Sequence, residues 1–227
     1  MNKQILSYFI LLLLVPLTVM VGVTFFEDRS YVFISFIIVI LVSIPFFISF
    51  ENKPTSTRYM VVIAVLVALS VVGRFLFAAI PAFKPVTAIV IISAVFFGAE
   101  AGFLVGALSA IISNIYFGQG PWTPFQMLSW GMIGFIAGLP KFSQLLKKNK
   151  WMLVLYGIFS GIIYSLMMDV WTVVSLENAF NFKRYLTAIT LATPFMITYA
   201  ISNVVFLLLI IKPIGEKLDR IKIKYGI

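Results

Sequence analysis

The stretch Tyr116-Phe-Gly-Gln-Gly-Pro-Trp-Thr-Pro-Phe-Gln126 separates two apolar runs, at residues 100–117 and 123–139. Each run approaches the roughly 20 apolar residues that a helix needs to cross the hydrocarbon core of a bilayer. The junction between them instead combines aromatic rings, two side-chain amides, two glycines and two prolines. Such a segment at a helix junction is typical of a surface that faces a ligand or an aqueous lumen. The pattern predicts membrane helices, and the junction between them is the segment most indicative of function.

The composition places the whole chain in the same class. Of 227 residues, 62% are hydrophobic and 11% are charged, whereas soluble domains carry about 25% charged residues. We therefore expect an all-α, polytopic membrane helix bundle, with two additional N-terminal transmembrane helices in residues 1–52. A six-helix core and a basic cytoplasmic tail are expected in residues 53–227. The apolar runs predict spans at residues 5–25, 31–50, 59–80, 86–98, 100–117, 123–139, 151–174 and 186–211.

The residue types that the chain lacks exclude several kinds of chemistry. The sequence has no cysteine and no histidine, so it offers no thiolate or imidazole for a zinc site or for a catalytic nucleophile and its base. It also lacks the Gly-x-x-x-x-Gly-Lys-Ser/Thr loop that holds the phosphates of ATP. We expect no enzyme activity and neither a metal nor another cofactor. An intramembrane enzyme would have to rest on Asp169, Glu100 or lysines.

The basic residues predict the orientation of the chain in the membrane. If the N-terminus is cytoplasmic, twelve of the 17 lysines and arginines fall on the cytoplasmic side and four fall outside. This asymmetry agrees with the positive-inside rule. It places both termini in the cytoplasm and the junctions at residues 80–86, 117–124 and 175–185 outside. Lipid headgroups and topology then account for the net charge of +9, and we expect no nucleic-acid partner.

Nine residues are candidates for ligand binding on the external side. Arg74 and Asp169 are charges inside predicted spans at similar depth, so either they form an ion pair between helices or one or both meet the ligand. Trp122, Gln126 and Trp130 share one helix face, and two indoles with an amide between them suit a flat ligand with polar edges. An interfacial aromatic belt would also explain Trp122. The remaining candidates lie in or near the external junctions: Lys84, Asn114, Gln119 and Trp171.

Small residues recur at a spacing of four in several spans, which lets helix backbones approach closely. Glycines with this spacing, at 102 and 106, 134 and 138, and 157 and 161, predict packing inside the bundle. For Asn203 the pattern favours a hydrogen bond between two helices. The pair Ala64 and Ala68 is open to two interpretations, internal packing or a dock for a helix of another subunit.

Five motifs follow one another in an order that is more specific than any one of them: Ala64-Val-Leu-Val-Ala68, Gly73-Arg-Phe-Leu-Phe-Ala-Ala-Ile-Pro81, Lys84-Pro-Val-Thr-Ala88, Phe97-Gly-Ala-Glu-Ala-Gly-Phe-Leu-Val-Gly106 and Phe117-Gly-Gln-Gly-Pro-Trp-Thr-Pro-Phe-Gln126. Through them, residues 59–211 resemble the substrate-binding S component of an energy-coupling-factor (ECF) vitamin transporter, closest to the cobalamin-type branch. The first two spans depart from a minimal six-helix member of that family.

The resemblance implies a subunit that captures a vitamin or its precursor from outside, with cobalamin or a related corrinoid as the expected ligand. It also implies two kinds of partner, a transmembrane coupling subunit and a pair of cytoplasmic ATPases, and it matches Ala64 and Ala68 to the element that meets the coupling subunit. The residues alone leave an alternative open, an autonomous secondary carrier for a small heterocyclic solute. A smaller heterocycle than a corrinoid would use the same residue types.

Overall fold

A computed structural model of the protein describes residues 3–25, 31–50, 56–177 and 180–226. Within these ranges the chain is helical between short turns and contains no strand. In chain order the elements are α1 (Lys3–Phe9), a π-helical turn (Ile10–Leu14), α2 (Val15–Phe25), α3 (Tyr31–Phe50), α4 (Ser56–Leu76), α5 (Val86–Phe97), α6 (Ala99–Phe117), α7 (Trp122–Ala137), α8 (Pro140–Lys148), α9 (Lys150–Glu177) and α10 (Phe182–Tyr225).

Several of these helices are long and apolar enough to cross a membrane. The segments that qualify by length and composition are Gln4–Gly22, Thr57–Leu76, Ala99–Phe117, Lys150–Leu176 and Phe182–Tyr225, and two shorter apolar helices are Phe33–Pro45 and Val86–Phe97. The first segment is continuous because the π-helical turn joins α1 to α2 without a break. These helices confirm the prediction of an all-α, polytopic membrane bundle.

The N-terminal helices pack on one side of the later ones. Helix α3 contacts α6 and α7, and α1 and α2 contact α3. Buried side chains such as Leu11, Val15 and Ile38 fill this interface, and the Tyr8 ring meets the edge of Phe135 on α7 at 5.0 Å between centroids. The division of the chain into two additional helices and a six-helix core stays a prediction.

Helix α5 lies at the centre of the bundle. It is buried from Val86 to Phe96, as expected of a helix that is apolar on every side. Its 12 residues rise only about 18 Å, which is too short to cross the hydrocarbon core alone. Gly98, with φ +94°, turns the chain directly into α6. This left-handed conformation favours glycine because it has no Cβ, and it allows the tight hairpin that positions α6 beside α5.

The glycine repeats lie where helix backbones touch. A Cβ on Gly134 of α7 would lie 2.4 Å from the carbonyl oxygen of Gly102 on α6, and a Cβ on Gly161 of α9 would lie 2.5 Å from the backbone nitrogen of Ala200 on α10. These contacts confirm the predicted internal packing. The predicted bond between helices is also present, since Asn203 Nδ2 donates to the carbonyl oxygen of Gly157 at 3.2 Å.

The helix that carries Arg74 ends earlier than its apolar run indicated. The run predicted a span over residues 59–80, whereas α4 ends at Leu76 and turns follow it. Pro81 has no backbone N–H and disfavours helical geometry at the residue before it, so the apolar side chains up to Ile80 do not extend the helix. Arg74 therefore lies in the last turn of α4, within the apolar helix Thr57–Leu76 but closer to its end than the run indicated.

Two segments expected to be loop or tail are helical. Residues 140–148 form α8, which starts with Pro140 in its first turn, a position where the missing N–H costs nothing. Helix α10 continues past the predicted end at residue 211 to Tyr225. Its last part is amphipathic, with Gly215 and Leu218 buried among exposed lysines. The polar face lowers the hydropathy that marks a span but preserves the helical repeat.

Candidate functional site

A cavity of about 100 Å³ lies where α4, α7, α9 and α10 meet the loop between α4 and α5. Its wall contains two cationic side chains, three aromatic rings and several hydrogen-bonding groups, and no carboxylate among the described residues. We call this cavity the candidate site. Its wall is formed by Arg74, Ala82, Lys84, Val86, Thr87, Gln126, Trp130, Tyr164, Tyr199 and Asn203.

Arg74 reaches the cavity from the end of α4, and neutral groups hold its guanidinium. Nη1 donates to Ser113 Oγ and to Asn114 Oδ1, the latter at 2.7 Å. The guanidinium carbon also lies 4.6 Å from the centroid of the Phe117 ring and 5.4 Å from that of Trp130, within the range of a cation–π contact. Within the described ranges, Arg74 is thus held by dipoles and rings, without a compensating negative charge.

The ion pair between Arg74 and Asp169, one of the two alternatives for these residues, is absent from the part of the chain that the structure describes. Asp169 lies on α9 with 7% of its surface exposed, and its Oδ2 has no hydrogen-bond partner. It does not belong to the cavity wall. The Arg74 guanidinium instead donates to Ser113 and Asn114 on α6.

A chain of side-chain hydrogen bonds continues from Arg74 across the bundle. Asn114, fully buried on α6, donates through Nδ2 to Gln126 Oε1 at 2.8 Å and to Thr123 Oγ1 at 2.9 Å. Gln126 on α7 donates through Nε2 to the Tyr164 hydroxyl on α9 at 3.2 Å. This series of hydrogen bonds joins α4, α6, α7 and α9. Buried polar groups that satisfy one another in this way fix the position of each side chain.

Aromatic rings form part of the cavity wall beside these hydrogen bonds. The Trp130 and Tyr164 rings are stacked, with centroids 5.2 Å apart and an interplanar angle of 11°. Tyr199 meets Tyr164 edge to face at 5.0 Å. Flat rings that are already oriented offer a planar ligand a contact surface at little entropic cost. Together with the amides, they suit a planar molecule with hydrogen-bonding edges.

Lys84 borders the cavity from the loop between α4 and α5. Its backbone is fixed to α10, because its N–H donates to Ser202 Oγ at 2.8 Å and Ser202 Oγ donates back to its carbonyl at 3.1 Å. Partial burial lowers the pKa of the Lys84 ammonium, and the positive charge of Arg74 lowers it further. Two cations share one small cavity, so an anionic or electron-rich group on a ligand would relieve their repulsion.

The other predicted residues lie around the cavity rather than on its wall. Gln119 fastens the junction between α6 and α7, donating to the carbonyl of Ile111 at 2.7 Å and accepting from Thr123 at 3.0 Å. Trp122 and Trp171 pack against each other edge to face, with centroids 5.7 Å apart. The structure therefore gathers Arg74, Lys84, Gln126 and Trp130 on the wall, places Asn114 directly behind it and keeps the two outer indoles apart from it.

Two tyrosines on the wall were missed from the sequence. Tyr164 and Tyr199 lie in long apolar runs on α9 and α10, where they resemble ordinary core residues. A tyrosine within an apolar run was itself a signal, because a buried tyrosine hydroxyl normally has a hydrogen-bond partner. The sequence could not show that this partner is Gln126, 38 positions away.

Comparison with known proteins places this fold in a family. Residues 54–220 match the family described as "ECF-type riboflavin transporter, S component". A UPF0397 protein of Vibrio atlanticus is 33% identical over 89 residues, which cover 37% of this chain and 48% of that relative. The chain thus matches about half the length of the curated relative. No solved structure matches the chain.

The matched range contains every residue of the cavity wall and the motifs that carried the resemblance to an S component. Neither description mentions the cobalamin-type branch. The match extends over most of the 227 residues, so it concerns the bundle as a whole and not one motif. The chain belongs to the S-component family that is described as that of the ECF-type riboflavin transporter.

Proposed function

We propose that this protein is the substrate-capture subunit of an ECF-type importer. It binds a small vitamin-like heterocycle in the candidate site and delivers it with a transmembrane coupling subunit and two cytoplasmic ATPases. The observation that carries the proposal is the family match, which covers all the residues that build the cavity. As a capture subunit the chain needs no chemistry of its own, in keeping with its lack of histidine and cysteine.

The lining of the cavity supports a particular class of ligand. Stacked rings of Trp130 and Tyr164 favour a flat ring system, and the amide of Gln126 favours a ligand with polar edges. Arg74 and Lys84 contribute positive charge that no carboxylate on the wall balances. A cationic ligand would be repelled, whereas carbonyl oxygens, ring nitrogens or an anionic group would be attracted. We propose a planar, neutral or anionic heterocycle.

The size of the cavity bears on the choice among vitamins. Its volume of about 100 Å³ is below the roughly 300–1,000 Å³ of sites that hold drug-sized ligands. Any vitamin therefore requires the site to widen, and a compact heterocycle requires less widening than a corrinoid. Riboflavin, named in the family description, is the first candidate. Cobalamin, which the sequence resemblance favoured, remains the second.

We propose that the candidate site opens to the outside and that both termini are cytoplasmic. The distribution of basic residues supports this orientation, since α8 and the last part of α10, at the other end of the bundle, are rich in lysine. The junction at residues 117–122 lies at the same end as the candidate site, which would then receive ligand directly from the exterior.

The decisive experiment identifies the ligand. The full chain is purified from cells grown in rich medium, and small molecules that copurify are identified by mass spectrometry. Riboflavin and cyanocobalamin are then titrated into ligand-free protein, with binding followed by isothermal calorimetry. We expect one planar heterocycle to copurify at about one per chain and to rebind. Failure of the purified chain to retain or rebind any such molecule would contradict the capture function.

A second measurement separates the subunit from an autonomous carrier. The purified chain is reconstituted alone into vesicles, and uptake of the identified ligand is measured with and without an ion gradient. We expect binding without sustained uptake. Full uptake driven by the gradient would support the secondary carrier instead.

A further inference from the structure

A second and larger cavity, of about 510 Å³, opens at the other end of the bundle between α8, the start of α9 and α10. Its wall contains four lysines, at positions 147, 148, 150 and 212, and two carboxylates, Glu216 and Asp219. The wall also contains apolar side chains, among them Phe96, Leu153 and Leu208. We call it the lysine pocket. The two cavities lie towards opposite ends of α5, because Val86 lines the candidate site and Phe96, ten residues or about 15 Å further along the helix, lines the lysine pocket.

The surroundings of the lysine pocket place it at the membrane interface. Helix α8 joins α7 to α9 and buries Leu146, which is 1% exposed, while its lysines are exposed. Trp151, at the start of α9, is 78% exposed. An amphipathic helix with exposed lysines beside an exposed indole is typical of the headgroup level of a bilayer. We therefore expect the lysine pocket at the headgroup level, where both its charged and its apolar residues can meet lipid.

The lysine pocket carries an excess of positive charge. Four lysines outnumber the two carboxylates on its wall. The Lys147 ammonium lies 3.9 Å from the centroid of the Phe96 ring. Burial lowers the pKa of Lys147, with a further decrease from Lys222 that Asp219 opposes. A bound anion would neutralise this cluster.

We propose that the lysine pocket binds one anionic phospholipid, with the phosphate among the lysines and an acyl chain against the apolar residues of the wall. A phospholipid provides a partner for the charged and for the apolar residues at once, and the membrane presents it at this depth. Each lysine near the surface increases the affinity for an anionic headgroup roughly fivefold. An acidic segment of a partner protein would match the lysines but would leave the apolar residues without a partner. This lipid site is independent of the proposed transport function.

The test uses native mass spectrometry of the full chain in detergent with added lipid. Dioleoylphosphatidylglycerol and dioleoylphosphatidylcholine share their acyl chains and differ in headgroup charge. We expect the wild-type chain to retain one phosphatidylglycerol and at least about tenfold less phosphatidylcholine. Excess glycerol phosphate is a third arm, and because it lacks acyl chains we expect it not to displace the lipid. Equal retention of both lipids, or displacement by glycerol phosphate, would overturn the proposal.

Matched variants locate the site. The pocket triple Lys148→Gln, Lys150→Gln and Lys212→Gln is compared with an exposed control triple, Lys141→Gln, Lys217→Gln and Lys224→Gln, whose positions do not line the pocket. Both remove three charges. We expect at least about a tenfold loss of phosphatidylglycerol in the pocket triple only. Equal losses of phosphatidylglycerol in the two triples would show that general surface charge retains the lipid, and would overturn a defined site. Unchanged lipid retention with loss of cellular uptake would instead make the pocket a protein-docking surface.

Discussion

Among the residues that the structure describes, the guanidinium of Arg74 has only neutral partners. Two side-chain oxygens, those of Ser113 and Asn114, accept its hydrogen bonds, and the rings of Phe117 and Trp130 lie within cation–π range. These contacts offset part of the cost of burying a charge, but they do not neutralise it. The residue therefore remains a strong donor beside aromatic rings, which is the reason for expecting a ligand that accepts hydrogen bonds or carries negative charge.

Replacing Trp130 with alanine should weaken ligand binding by about tenfold or more, because stacking and burial of an indole contribute a comparable free energy. Calorimetric titration of the ligand that copurifies measures the effect. Trp151→Ala is the control, since that indole is exposed at the other end of the bundle. Unchanged affinity in Trp130→Ala, with normal thermal stability, would remove Trp130 from the site.

Gln126→Leu should reduce both ligand affinity and folding stability. The Gln126 amide accepts from Asn114 and donates to Tyr164, so it belongs to the buried hydrogen-bond network as well as to the cavity wall. Leucine preserves most of the volume and leaves one N–H of the buried Asn114 unpaired, at a cost of about 1–3 kcal/mol. A thermal-shift assay in detergent should show the loss without ligand. An unchanged melting temperature would show that water replaces the amide.

The sequence predicted those residues of the cavity wall that have a distinctive side chain at a recognisable position in the pattern. Arg74 and Lys84 were recognisable as charges in or beside apolar runs, and Gln126 and Trp130 by their spacing on one helix. Tyr164 was not, because its role depends on the rotation of α9 about its own axis relative to α7. That rotation follows from packing between distant segments, which one sequence does not display.

At the scale of elements, helix α4 presents two different sides. Tyr59, Ile63 and Leu66 are buried, whereas Ala64 and Ala68 are exposed. Small residues on an outward face create a shallow groove in which another helix can approach closely. The structure thus removes internal packing as the explanation for this pair, and docking of a coupling subunit remains a prediction.

Ala64→Trp and Ala68→Trp should leave ligand affinity unchanged and reduce uptake severely when the coupling subunits are present. A tryptophan on this face separates two helix backbones that small residues allow to touch. Uptake of labelled ligand by cells is the measurement, with affinity of the purified variant determined in parallel. The control is Leu191→Trp, at an exposed site on α10. Normal uptake in both alanine variants would contradict docking on this face.

Gly134→Leu should destabilise the bundle by about 1–3 kcal/mol, the usual cost of overpacking. Any Cβ at this position would lie 2.4 Å from the backbone of Gly102, so α6 and α7 would have to move apart. Melting temperature in detergent measures the loss, and Ala64→Leu adds a similar bulk on an exposed face as a control. Equal melting temperatures in the two variants would show that α6 and α7 are less closely packed than described.

The apolar runs predicted the membrane helices, but not the residues at which those helices end. Pro81 and the turns before it shorten α4, and the amphipathic α8 has too many lysines to be recognised as a membrane element. Both deviations concern the two cavities, because the first puts Arg74, on the wall of the candidate site, in the last turn of α4 and the second adds α8 to the wall of the lysine pocket. Hydropathy reports how apolar a segment is, whereas ends depend on capping and turn chemistry.

At the scale of the whole molecule, the two ends of the bundle differ in chemistry. One end carries the small aromatic cavity with two cations, and the other carries the larger lysine pocket and the amphipathic end of α10. A capture subunit needs such polarity, since ligand arrives from one side and the energising partners act from the other. The orientation itself comes from the count of basic residues and awaits a direct measurement.

Single cysteines provide that measurement without further engineering, because the native chain has none. Ala79→Cys lies in the exposed turn after α4, on the side of the candidate site, and Gln144→Cys lies on the exposed face of α8. In intact cells we expect a membrane-impermeant maleimide to label Ala79→Cys, and to label Gln144→Cys only after permeabilisation. The reverse pattern would place the termini outside and the candidate site towards the cytoplasm. Capture from the exterior would then be excluded, because a ligand could reach the site only after crossing the membrane.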